Sequence, residues 1–162
     1  MSVGTMYQYF PHKQALIHAV NERYLELLAD RIEATCRECQ GNPAGEMVEA
    51  LINTYWHAKT ERPDVTRALY RSVVEMDNEA LIATFASRTD VAIAAMLASA
   101  SDNHGSDVAS SSRTLVTVIF GAVRNSFERY HSGEVAQDLH RQLVIMCRAY
   151  LEGMKDEFLW HP

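Results

Sequence analysis

Ser2-Val3-Gly4-Thr5-Met6-Tyr7-Gln8-Tyr9-Phe10-Pro11-His12-Lys13 follows Met1 and governs how the rest of the chain is read. Ser2 is a good N-cap, because its hydroxyl can accept from a free backbone N–H of a first helical turn. Thr5, Tyr7, Gln8 and Tyr9 place hydroxyl and amide groups on a short helix. Pro11 ends that helix, since proline disfavours helical geometry in the residue before it. A second, long helix opens at Pro11 or His12, with Lys13 in its first turn. A cation there works slightly against the helix dipole, which suggests that Lys13 is placed for an external anion. No acid precedes Glu22, and the chain as a whole carries a net charge of −6. A non-acidic opening on an acidic protein fits phosphate contact.

The segment resembles the recognition helix of the tetracycline-repressor (TetR) family of bacterial regulators. The family pattern runs roughly Gly-Thr-Leu/Ile-Tyr-x-His/Tyr-Phe-x-x-Lys-x-x-Leu, and here it stands as Gly4-Thr5-Met6-Tyr7-Gln8-Tyr9-Phe10-Pro11-His12-Lys13-Gln14-Ala15-Leu16. Met6 replaces the usual Leu or Ile, a volume-conserving exchange. The match covers about the first tenth of the chain. Carried over position by position, it implies that Val3, Gly4 and Thr5 face base edges in the major groove. Tyr7, Tyr9 and Lys13 would hold phosphates and fix the register. The implied fold is all-α: a TetR-like C-terminal ligand-binding and dimerisation bundle with a partial N-terminal helix-turn-helix. Residues 1–20 would be the remnant of the DNA-binding unit, and residues 21–162 the effector-binding and dimerisation domain. The first half of the helix-turn-helix would lie before Ser2. The chain as written is therefore expected to bind operator DNA weakly or not at all.

Periodicity carries the helical reading through the remainder. Leu16, Val20, Tyr24, Leu27, Leu28 and Ile32 recur at helical spacing between about His12 and Cys39. Gln40-Gly41-Asn42-Pro43 breaks that helix, with Gly41 as the stop and Pro43 as a start. Met47, Val48, Leu51, Ile52, Tyr55 and Trp56 mark the buried side of the next. Arg62-Pro63 opens a short third, and Asp77-Asn78 caps a fourth whose inner face carries Ile82, Phe85, Thr89, Ile93 and Met96. Residues 99–112 read as a polar loop ending in a helix start near Asp107. Two long helices follow, to about His131 and from about Glu134 to Phe158.

Each of these last helices spans roughly 36 Å and keeps an apolar stripe along its length. Paired with the same two in a second copy, they would form a four-helix bundle across a two-fold axis. The resemblance implies such a homodimer, with Leu115, Ile119, Ala122, Leu139, Leu143, Met146 and Tyr150 at the interface. It also implies a small-molecule effector, of unknown identity, inside the helical body. Tyr55, Trp56, Tyr70, Met76, Phe85, Met96, Phe120, Arg124 and Phe127 are the candidate lining. His57, Asn53 and Asn125 join Arg124 as candidate polar anchors. Arg124 would meet an anionic ligand, or pair with Glu75 or Asp77.

Other functions find less support. The chain has no Gly-rich phosphate loop, no His-Glu-x-x-His and no Gly-x-Ser-x-Gly, so catalysis is disfavoured, and no cofactor is implied. The seven histidines show no metal-ligand spacing, and His57 with Glu61 reads as a surface pair. Cys36 and Cys39 form a CxxC with no second ligand pair; with Cys147 they make an odd, sparse set that suits a reducing cytoplasm. No apolar run approaches the ~18–20 residues that span a bilayer, so no membrane partner is expected. A stand-alone binding or dimerising module without DNA contact is the alternative reading, and a small helical enzyme or carrier a third.

Overall fold

The computed structural model describes residues 13–75, 78–102, 107–130 and 133–157. The periodic segments form six helices among them: α1 (Lys13–Glu38), α2 (Ala44–Thr60), α3 (Pro63–Glu75), α4 (Glu79–Ala98), α5 (Val108–Tyr130) and α6 (Glu134–Glu157). Of the residues expected to meet DNA, Val3, Gly4, Thr5, Tyr7 and Tyr9 lie outside the described residues, and Lys13 is the exposed first residue of α1. The boundary expected at residue 20 falls within the continuous α1.

α1 and α2 form an antiparallel pair joined at Gly41, whose φ of +80° is the left-handed conformation that glycine adopts without strain. α4 lies alongside α1, α6 alongside α2, and α5 closes the bundle between α4 and α6. Ile32, Met47, Val48, Ile52, Ile93, Met96 and Ile119 are wholly buried where these helices meet. Each such side chain contributes about 1.5–3 kcal/mol when removed from water.

Polar contacts fix the register of the pairs. Arg88 of α4 donates to Glu33 and Asp30 of α1, both at 2.8 Å. Arg148 of α6 reaches Glu49 of α2 at 2.8 Å, and the His140 ring lies 2.8 Å from Asn53 Oδ1. The turn after α4 clasps the α1–α2 connection through three hydrogen bonds: Gly41 N–H to Ser99 Oγ, Ala44 N–H to Asp102 Oδ1 and Ser101 N–H to the Asn42 carbonyl.

The helix start expected near Asp107 is found: α5 begins at Val108 and Asp107 accepts from the Ser110 N–H, so the last residues of the 99–112 stretch belong to the helix. One expectation is corrected. α4 is long and apolar enough, by length and composition, to cross a membrane. Arg88 and Asp90 interrupt its sequence, however, and it packs between α1 and α5.

Candidate functional site

A cavity of about 340 Å³ opens among the first half of α1, the end of α2, α3, the start of α4 and the middle of α5. Its wall includes Leu25, Leu28, Tyr55, Leu69, Tyr70, Phe85 and Phe120. Tyr55 stacks on Phe120 with centroids 4.3 Å apart, and Phe85 tilts against the same ring at 5.9 Å. The exposed members of the lining, Ile82, Asp90, Gly121 and Arg124, lie on α4 and α5. The cavity therefore reaches solvent on that side.

Lys59 gives this apolar chamber its charge. The residue is 2% exposed. It follows Leu51 and Tyr55 at successive four-residue steps, so the buried stripe of α2 carries it inward. Its ammonium stands over three tyrosine rings, 4.8 Å from the centroid of Tyr24, 5.3 Å from Tyr55 and 5.1 Å from Tyr70. No carboxylate pairs with it among the described residues. Burial, helped by the nearby Arg124 cation, lowers its pKa to about 7. The tyrosines are shifted the other way: burial raises the phenols of Tyr24, Tyr55 and Tyr70. They stay neutral and present hydroxyl donors.

Other polar groups in the wall also lack partners. Tyr70 Oη is buried without hydrogen-bond geometry to any group among the described residues, although the Tyr55 hydroxyl lies near it. Asn78 is 3% exposed, and neither its amide nitrogen nor its amide oxygen is satisfied. Asn78 does occupy the N-cap position of α4, as the sequence suggests, but its side chain makes no capping bond. Asn21 donates to Ser72 Oγ at 2.9 Å, and Thr89 returns its hydroxyl to the Phe85 carbonyl. Arg124 is half-exposed; it pairs with Glu128 at 2.8 Å and lies over the Tyr70 ring at 5.2 Å.

The candidate residues are thus divided. Tyr55, Tyr70, Phe85, Phe120 and Arg124 gather on this cavity. Trp56 and Phe127 line a second one, of about 290 Å³, between the end of α2, α5 and the start of α6. Met96 is wholly buried in the core and faces neither, and Met76 lies outside the described residues. Asn53 is engaged by His140, while His57 and Asn125 are exposed. Glu61 pairs with Arg31 at 2.7 Å. Sequence reasoning missed Lys59, Asn78 and Asn21. For Lys59 a signal existed: a lysine at an interior position of an apolar stripe.

The interface candidates divide as well. Leu115, Ile119 and Leu143 are buried in the protomer's own core, and Tyr150 is half-buried against it. Ala122, Leu139 and Met146 are exposed, joined by Val135 and Ile145. Cys36 and Cys147 are free and buried, and burial pushes both thiols up to about 11, away from the reactive thiolate form.

Residues 43–151 match the family described as tetracycline repressor-like, C-terminal domain. The chain belongs to this family. The match takes in α2 to α5 and most of α6, and so contains much of the cavity wall. Comparisons with curated proteins and with solved structures gave no match. An all-helical bundle with a TetR-like C-terminal domain is thus common ground between the sequence reading, the structure and the family.

Proposed function

We propose that the chain is a TetR-family transcriptional regulator, a repressor acting in the cytoplasm that releases operator DNA when a small molecule occupies the Lys59 cavity. The observation that carries this reading is the chamber itself: an aromatic wall with polar atoms that have no partner among the described residues. Buried groups without partners destabilise a fold, so an occupant that satisfies them is favoured. Residues 1–20 serve the DNA, with Val3, Gly4 and Thr5 toward bases and Tyr7, Tyr9 and Lys13 toward phosphates. Residues 21–162 hold the effector and the second subunit. The homodimer forms along α5 and α6, where Ala122, Leu139 and Met146 are exposed with Val135 and Ile145.

The test has two stages. A compound library is screened for those that raise the thermal midpoint of the purified chain. DNA selected from a random-sequence pool is then challenged with the hits in a gel shift. Release of bound DNA by a hit that fails on a variant with a filled cavity supports the proposal. Hits that bind while no DNA is captured support the effector site alone and do not separate the regulator from the alternative, a ligand-binding or dimerising module without DNA contact. An absence of any cavity-dependent hit refutes the effector reading.

A further inference from the structure

We propose that the occupant of the cavity is an organic anion: a small, largely apolar molecule bearing a carboxylate that meets Lys59, with Tyr70 and Asn78 completing its shell. The proposal rests on the effector reading above and specifies its chemistry. A chamber of about 340 Å³ sits at the small end of ligand sites, roughly 300–1,000 Å³. Its wall is mostly aromatic and aliphatic, which selects an apolar body.

The charge is what selects the head. Lys59 as a residue is 2% exposed, its ammonium stands over three rings, and no described carboxylate pairs with it. The groups facing it can be taken helix by helix. α1 presents the Tyr24 ring, α2 Tyr55, and α3 Tyr70; α5 presents Arg124, which is held by Glu128. α4 contributes Asp90, an exposed member of the lining. Arg124, Glu128 and Asp90 are exposed to solvent, so the buried charge in the wall is that of Lys59. The unpartnered Tyr70 hydroxyl can donate to a carboxylate oxygen, as can the free Asn78 amide nitrogen. A cationic occupant would meet Lys59 and Arg124 as like charges. A neutral one would leave the ammonium unpaired.

Proton uptake follows from the same arrangement. Burial lowers Lys59 to about 7, so near neutral pH part of the population carries the neutral amine. An entering carboxylate favours the ammonium, and binding draws a proton from the buffer.

Calorimetric titration of the full chain with decanoate and phenylbutyrate, and with the matching primary alcohols, tests the inference. The carboxylates are expected to bind at least about tenfold more tightly than the alcohols, the difference given by a charge-assisted hydrogen bond. In two buffers of different ionisation enthalpy, the unmodified protein is expected to show net proton uptake with the acids and none with the alcohols. Lys59→Met should erase the preference while alcohol binding persists. Alcohols binding as tightly as the acids, or acids binding without proton uptake, overturn the inference and leave the effector reading intact. No binding by either set overturns both.

Discussion

Exchanging Lys59 for methionine removes a charge that the fold holds out of water and leaves a side chain of similar length. The lowering of its pKa from 10.5 to about 7 corresponds to roughly 5 kcal/mol, at about 1.4 kcal/mol per tenfold change in proton affinity. The three ring contacts, at 4.8, 5.3 and 5.1 Å, keep that cost from being larger still. The shift is itself the net destabilisation while the ammonium is charged. Its pH dependence has a definite sign. Above about pH 7 the folded chain releases the proton, while the unfolded chain keeps it up to its ordinary value of 10.5. The unfolded state then binds more protons, so stability rises with pH across this interval and is lowest below it. Lys59→Met is expected to be more stable than the parent by up to about 5 kcal/mol near pH 6, and the gap should shrink to about 1 kcal/mol or less by pH 10. Urea unfolding followed by helical circular dichroism across that range reads both quantities. A variant less stable than its parent near pH 6, or a gap that does not change with pH, would refute the account of Lys59 as an unpaired buried cation.

Ile93→Ala, at a wholly buried contact of α4, should lower stability by about 2–5 kcal/mol in the same urea assay. Gly153→Ala should raise it by about 0.5–1 kcal/mol, because an added Cβ meets nothing within 4 Å and the glycine lies inside α6; a lower midpoint would contradict this. Leu139→Glu together with Met146→Glu, both at exposed positions, should convert a dimer to monomer in light scattering while the helical signal is kept. Arg88→Met should lower stability by at most about 1 kcal/mol, and by less at high salt, because its bridges to Asp30 and Glu33 are partly solvated.

The helices themselves were legible because each has a repeating apolar stripe bounded by a chemical stop. Gly41, Arg62-Pro63 and Gly133 all punctuate the chain where the sequence places them. The beginning of α5 was legible from Asp107, although Ser110, Ser111 and Ser112 favour loops by propensity. Burial of Ser111 and Ser112 overrides that preference. The cavity was legible only in part. Tyr55, Phe85 and Phe120 were read as large apolar side chains, but whether such a ring faces a void or a neighbour depends on how helices far apart in sequence meet. That is why Met96 is core and Phe120 is wall. Lys59 escaped notice because lysine belongs by default on a solvated face, and only its register with Leu51 and Tyr55 argues otherwise. The interface candidates fall on two sides of one helix. Leu143 turns toward α2 and α5, whereas Leu139 and Met146, on the same helix, stay exposed.

The clasp at Gly41, Ala44 and Ser101 has a mechanical meaning. It rivets the far tips of α1, α2 and α4 to one another, while the chamber sits toward their other ends, next to Asn21 and Asn78. A rod held at its base yields more readily the farther a point lies from that hold. Any wedge driven in beside Lys59 would therefore be felt most at Lys13, where α1 leads back to the segment that resembles a DNA reader.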